Sequence, residues 1–247
     1  MQPLKQKMSK QLIIIISLTI LILPSGFLTF VYLEKNPTIS TILVIFAFIL
    51  VILLLNIRNK FEYTKHEYHL VGLIENKEKP FKLSKPILNK DFYDYITKKL
   101  NYSHHHSDST YTMYYKVDKG LSKKKNQTLF GIIVIHKNIS FTDNITNNAF
   151  ESLEKYLHKK IKYRQRIFYQ FKDIKKSIDK NMQTDADHIF FINDRRNNLM
   201  LLNLVYNSLN NDIYYLHSKS FRPNNFINKP ADYLDELIKY KIKSEIS

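Results

Sequence analysis

Two apolar runs constrain this chain more than anything else in it. Residues 12–33 and 39–57 form stretches of 22 and 19 residues separated only by Glu34-Lys35-Asn36-Pro37-Thr38. As helices they would measure about 33 Å and about 28 Å, enough for a hydrocarbon core of about 30 Å. The sequence therefore predicts a membrane protein with an N-terminal two-helix transmembrane hairpin. Its spans, 12–33 and 39–57, are antiparallel because the turn at 34–38 is short, and Pro37 is suited to the first position of the second helix. Tyr32, Phe61 and Tyr63 fall where interfacial aromatics belong.

Orientation follows from the flanks. Lys5, Lys7 and Lys10 precede the first run and Arg58, Lys60 and Lys65 follow the second, while the turn holds one Lys against one Glu. The positive-inside rule puts both ends in the cytoplasm, most simply at an inner membrane. Residues 1–11 are then a basic cytoplasmic start, 34–38 an extracytoplasmic turn and 58–247 a cytoplasmic domain. A cleaved signal peptide is disfavoured because no small-residue cleavage site follows and the apolar run resumes after Pro24-Ser25-Gly26. That triplet predicts a local bend in the first helix.

The remaining residues suffice for one compact domain. The chain has no Cys and 4 Gly, which excludes disulfides, thiol catalysis, cysteine–zinc sites and glycine-rich phosphate loops. Its net charge of +16 invites a nucleic-acid reading. The bilayer with its anionic headgroups is the simpler partner, since a Lys or Arg held near such a surface contributes about 1 kcal/mol. Association of the hairpin with a protein partner or a second copy is also open.

Along the soluble part, 65–74 reads as a strand leaving the membrane and 79–85 as at most an edge strand. Asn89 caps a short helix with Phe92, Ile96 and Leu100 on one face. Residues 109–117 and 128–136 form a β-hairpin around a basic loop. Asn148 and Glu151 suggest a capping box for a helix bearing Phe150, Leu153, Leu157 and Ile161. Residues 167–171 fit helix or strand. A βαβ unit is expected from a strand at 188–193, an N-cap at Asp194, a helix at 199–209 and a strand at 212–217. A last helix after Asn228 and Pro230 carries Leu234, Leu237 and Ile238. The sum is a mixed α+β domain with one βαβ unit and one β-hairpin.

Few stretches suggest chemistry. His104-His105-His106 reads as a solvated loop, because three consecutive imidazoles rarely face one ion. Asp185, Asp187 and Asp194 read as caps and turn formers. Lys155, Lys159, Lys160, Lys162, Arg164 and Arg166, interleaved with tyrosines, form a candidate lipid-surface patch. Arg195 and Arg196 would sit in the first turn of a helix whose dipole opposes cations, so they are the candidate ligand-binding pair for a nucleotide-like anion. Neither a nucleophile with its base nor a metal cluster is legible, and no cofactor is implied. The expected function is a membrane-anchored interaction or regulatory module without catalysis. The alternative is an effector whose domain binds an anionic ligand and acts on the hairpin.

Overall fold

The computed structural model describes residues 1–119, 127–137, 139–158, 163, 165–193 and 198–239. The chain forms two compact units, Met1–Glu75 and Asn76–Ser247.

The first unit is a helical hairpin. Helix α1 (Gln2–Leu33) runs without a break through Pro24, and α2 (Pro37–Glu75) begins at Pro37. The Asn36 side chain accepts the Ile39 N–H at 3.2 Å, supplying a partner to a donor that the helix leaves open. The helices are antiparallel neighbours: Ser40 Oγ donates to the Thr29 carbonyl at 3.2 Å, and the Met1 ammonium lies 3.4 Å from Glu75. Small residues make the seam, with Ser25 and Ser40 buried, as expected where backbones approach closely. Gly26 is not part of it, since a Cβ there would meet nothing within 4 Å. Leu50 is buried with Ser25 and Ser40, while many of the other apolar side chains point outward, Leu23 and Phe30 being 71% and 79% exposed. Both helices are long and apolar enough to cross a membrane.

Helix α2 overturns one expectation, because 65–74 is helix and not strand. Thr64, His69, Gly72 and Leu73 are buried at helical spacing. Extending a helix already nucleated in the apolar run adds one hydrogen bond per residue at no new nucleation cost.

The second unit is an eight-stranded mixed sheet between two helical layers. Its strands are β1 (Phe81–Lys82), β2 (Ser103–Ser107), β3 (Tyr111–Lys119), β4 (Gln127–Ile135), β5 (Gln165–Ile174), β6 (Phe190–Asn193), β7 (Asn198–Asn207) and β8 (Asp212–Tyr215). The order is β1-β8-β7-β5-β4-β3-β2, with β6 paired to the first half of the β7 edge and β8 to the second. Strands β4, β5 and β7 are mutually parallel and the other pairings antiparallel. The β3–β4 hairpin and the edge position of β1 agree with the sequence; the basic loop between β3 and β4 lies outside the described residues.

The helices are α3 (Lys90–Asp94), continued by a π-helical turn at Tyr95–Lys99, then α4 (Asn144–His158), α5 (Lys180–Ala186) and α6 (Asn225–Ile238). Asn89 caps α3 through the Phe92 N–H as expected. Register parity sorts the layers. Phe168 of β5 stacks on Phe150 of α4 with centroids 4.1 Å apart, so even positions of β5 face α4 and α5. Odd positions face the other side, where Phe171 meets Phe92 and Tyr169 meets Tyr233 of α6. Phe150, Leu153 and Leu157 of α4 are buried, as their spacing predicted, whereas Ile161 lies outside the described residues.

Three element expectations need correction. Helix α4 starts at Asn144 and not at Asn148, because the turn before it is closed by Asp143, whose carbonyl accepts both the Thr146 N–H at 3.3 Å and its hydroxyl at 2.8 Å. Helix α6 is capped by Asn224 and holds Pro230 inside; its Leu234, Leu237 and Ile238 are buried. The expected βαβ unit at 188–217 does not exist, since residues Asn198–Asn207 are strand β7 in antiparallel pairing with β6 and β8. The parallel crossovers lie earlier, through α4 between β4 and β5 and through α5 between β5 and β7.

Candidate functional site

Strand β5 alternates Phe168, Gln170, Lys172 and Ile174 toward the α4/α5 layer, which sets an amide and an ammonium into a largely apolar face. Lys172 is 6% exposed. Burial of this kind requires a partner, and α5 provides one: Lys172 Nζ lies 2.7 Å from Asp185 Oδ2. Asp185 Oδ1 in turn accepts the Ser140 hydroxyl and, at 3.2 Å, the Phe141 N–H, so the loop after β4 is tied to α5. The ammonium also sits 4.3 Å from the Phe141 ring centroid, a cation–π contact. Burial by itself would push the Asp185 carboxyl up, but the hydrogen bonds from Lys172 and Ser140, the Lys172 charge and the Phe141 N–H outweigh it and hold it below the ordinary range.

These groups border a cleft of about 330 Å³ at the carboxyl ends of β4 and β5, lined by Ser140, Lys172, Lys176, Asp179, Asn181 and Asp185 among others. In open α/β sheets ligands bind outside the carboxyl ends of the parallel strands.

Two residues further on, Asp187 is buried and holds a second network. Its Oδ2 lies 2.5 Å from Lys77 Nζ and its Oδ1 accepts the Tyr214 hydroxyl. Burial first, then the Asp187 hydrogen bond and charge, push the Tyr214 phenol up. Asp185, half-buried, and Asp187, buried, spend their carboxylates on ion pairs; Asp187 also stands at the C-cap of α5, as expected of a capping residue, while the N-cap is Asp179, through the Met182 N–H. Between the networks and the apolar core lie Gln170 and Asn203, opposite each other on β5 and β7. Neither amide atom of Gln170, nor Asn203 Oδ1, has a partner among the described residues.

The histidine tract is strand β2 and not a loop. A register shift between His104 and His106 lets the rings pack separately on tyrosines: His104 on Tyr114, His105 on Tyr115 and Tyr156, His106 on Tyr111. Asp108 accepts the Tyr111 and Thr110 N–H groups and bonds His106, which holds its carboxyl down to about 2. Among the described residues no group of three His, Cys, Asp or Glu side chains is placed to hold a metal ion.

Of the candidate lipid-surface patch, Lys155 is exposed and lies 3.8 Å from Glu151, while Arg166 is mostly covered and lies 2.6 Å from Glu154. Lys159, Lys160, Lys162 and Arg164 lie outside the described residues, as do Asp194, Arg195 and Arg196. The helix that was to set Arg195 and Arg196 against its dipole is strand β7, so the argument for an anion there lapses. The Lys172–Asp185 pair was missed by sequence reasoning. Its signal was a Gln and a Lys two residues apart inside the apolar run 167–174.

Compared with known proteins, the chain matches no family model, no curated protein and no solved structure.

Proposed function

We propose that this chain is a two-pass anchor in a cell membrane, with both termini cytoplasmic, and that its α/β domain serves as an interaction or regulatory module there rather than as an enzyme. One observation carries the anchor: two adjacent helices long and apolar enough to span a bilayer leave their apolar stretches almost entirely uncovered by protein. A core helix of a soluble protein would be mostly buried. The orientation rests on the lysines and arginines flanking the two runs. The binding role is supported by the state of the charged groups. Lys172, Asp185, Asp187, Lys77, Arg166 and Glu154 already pair within the fold, which suits stabilisation better than proton transfer. Association of two hairpins through their outer faces fits the same reading.

A second reading, a domain that responds to a small polar ligand, is favoured by the cleft beside Lys172 and Lys176. A thermal-shift screen with nucleotides and small carboxylates separates the two.

The anchor is tested by single cysteines at Asn36 and at Ser247, in a chain that has none. On intact cells an impermeant thiol reagent labels Asn36→Cys and spares Ser247→Cys, and the chain stays with membranes through an alkaline carbonate wash. Labelling of Ser247→Cys alone reverses the topology, and release by the wash removes the anchor.

A further inference from the structure

We propose that the hairpin binds one anionic phospholipid headgroup bearing a hydroxyl, of the phosphatidylglycerol type, between Lys7 of α1 and Lys60 of α2. The proposal rests on the membrane-spanning reading above.

Helices α1 and α2 both continue beyond their apolar runs at the same end of the hairpin, and a cleft of about 430 Å³ opens between them there. It is lined by Lys7, Gln11, Asn59, Lys60, Tyr63 and Thr64. Gln11 is the last residue before the first apolar run and Asn59 lies two residues after the second. The cleft therefore stands at the level where phosphates border the hydrocarbon.

Its chemistry is one-sided. Lys7 from one helix and Lys60 from its neighbour both line it through exposed side chains, and no carboxylate lines it. Neither lysine has a carboxylate within ion-pairing distance among the described residues; the nearby Glu62 pairs with Lys65 at 3.6 Å. Like charges brought together repel, and an anion between them turns that repulsion into attraction. Gln11 adds a second demand, because its Oε1 is buried without a partner and calls for a donor. A phosphate satisfies the lysines and a headgroup hydroxyl satisfies Gln11. The Thr64 hydroxyl is spent on the Lys60 carbonyl at 2.9 Å, which leaves Asn59 and Tyr63 as further polar neighbours. The lysine stems and the Tyr63 ring furnish an apolar wall toward the glycerol.

The test uses the full-length chain in nanodiscs of phosphatidylcholine with equal minorities of phosphatidylglycerol and phosphatidic acid, followed by extraction into mild detergent and native mass spectrometry of the retained lipid. Wild type is expected to retain phosphatidylglycerol several-fold above its bulk share. Lys7→Gln with Lys60→Gln brings retention down to the bulk share. Lys5→Gln with Arg58→Gln, which removes the same charge at the same level outside the cleft, retains lipid as wild type does. Gln11→Leu keeps selection for anionic lipid but loses the preference for phosphatidylglycerol over phosphatidic acid, and it decides the matter if the double lysine variant fails to keep its helicity. Equal loss in the control pair would mean diffuse attraction and overturn the site. Displacement by inorganic phosphate or glycerol phosphate would make it a free-anion site and overturn the lipid. Bulk-share retention by a wild type that resists carbonate overturns the headgroup alone, whereas a chain that carbonate releases overturns the membrane reading itself.

Discussion

Lys172 is held on a strand covered on both faces, so removing one partner of its ion pair leaves a charge in the interior. Lys172→Met takes the cation from the half-buried Asp185 carboxylate and is expected to cost about 2 kcal/mol, less than for a fully buried pair because Asp185 keeps its bonds from Ser140 and Phe141. Asp185→Asn added to it should return part of that loss, since the orphaned charge goes with it. The dependence on pH has a definite sign. Asp185 is held below the ordinary carboxylate range in the fold, so its contribution is full above the unfolded value of about 3.9 and fades as pH falls through the folded one. In the variant, burial acts without Lys172 and favours the protonated acid. The gap in stability between wild type and variant, measured by urea unfolding, should therefore narrow from pH 7 toward pH 3. A gap that stays constant would mean that Lys172 contributes packing and not charge. The same scale shows how a chain with 4 Gly makes its turns: Asn101 and Asn211 take left-handed backbone, with φ of 58° and 62°, a region asparagine enters more readily than most residues.

Among the elements, the β4–β5–α4 contact is the most tightly fitted. A Cβ on Gly131 of β4 would fall 2.4 Å and 2.7 Å from two carbons at the edge of the Phe168 ring, and that ring is further confined by Phe150, which stacks on its face. Gly131→Ala is expected to destabilise by about 1–3 kcal/mol through overpacking, despite the lower backbone entropy of Ala. Phe168→Leu in the same chain should relieve part of the strain, giving a favourable coupling in a double-mutant cycle; additive losses would show that the ring is not the obstacle. Elements whose burial is one-sided were legible in the sequence: the β3–β4 hairpin, the Asn89 cap, and the Phe150, Leu153 and Leu157 stripe of α4. Strands β5 and β7 were not. They lie in the middle of the sheet with helices on both faces, so their apolar residues run continuously and lack a period of two. Leucine-rich 199–204 then reads as well for a helix as for a strand. With a strand at Asn198–Asn207, the helix dipole that motivated an anion site at Arg195 and Arg196 is absent, and those two residues lie outside the described ones. The true polar pair at Lys172 and Asp185 depends on a contact across 13 residues, which no local pattern announces.

At the scale of the whole molecule, the chain divides into compact units after Glu75. A fragment starting near Phe61 would carry the end of α2 without its partner helix, whereas residues 76–247 hold the complete sheet and both helical layers. That fragment is expected to fold alone, with a cooperative thermal transition. It carries 31 Lys and Arg against 18 Asp and Glu, a net charge of +13. Several of these cations are already engaged, such as Lys98 with Asp94, Lys155 with Glu151 and Arg222 with Asp232, but exposed pairs of this kind barely alter the field at a distance. The fragment should therefore bind vesicles containing anionic lipid and spare neutral ones. Binding should fall as salt rises, because charges are screened over about 8 Å at physiological ionic strength. Charge reversal at Lys159, Lys160 and Lys162 brings the net charge to +7 from the +13 counted above and should weaken flotation with anionic vesicles. If reversal of three exposed lysines elsewhere on the domain weakens it equally, the attraction belongs to the domain's overall charge and not to the 155–166 patch. Equal flotation with neutral and anionic vesicles would leave the surplus of lysine without a role at the membrane.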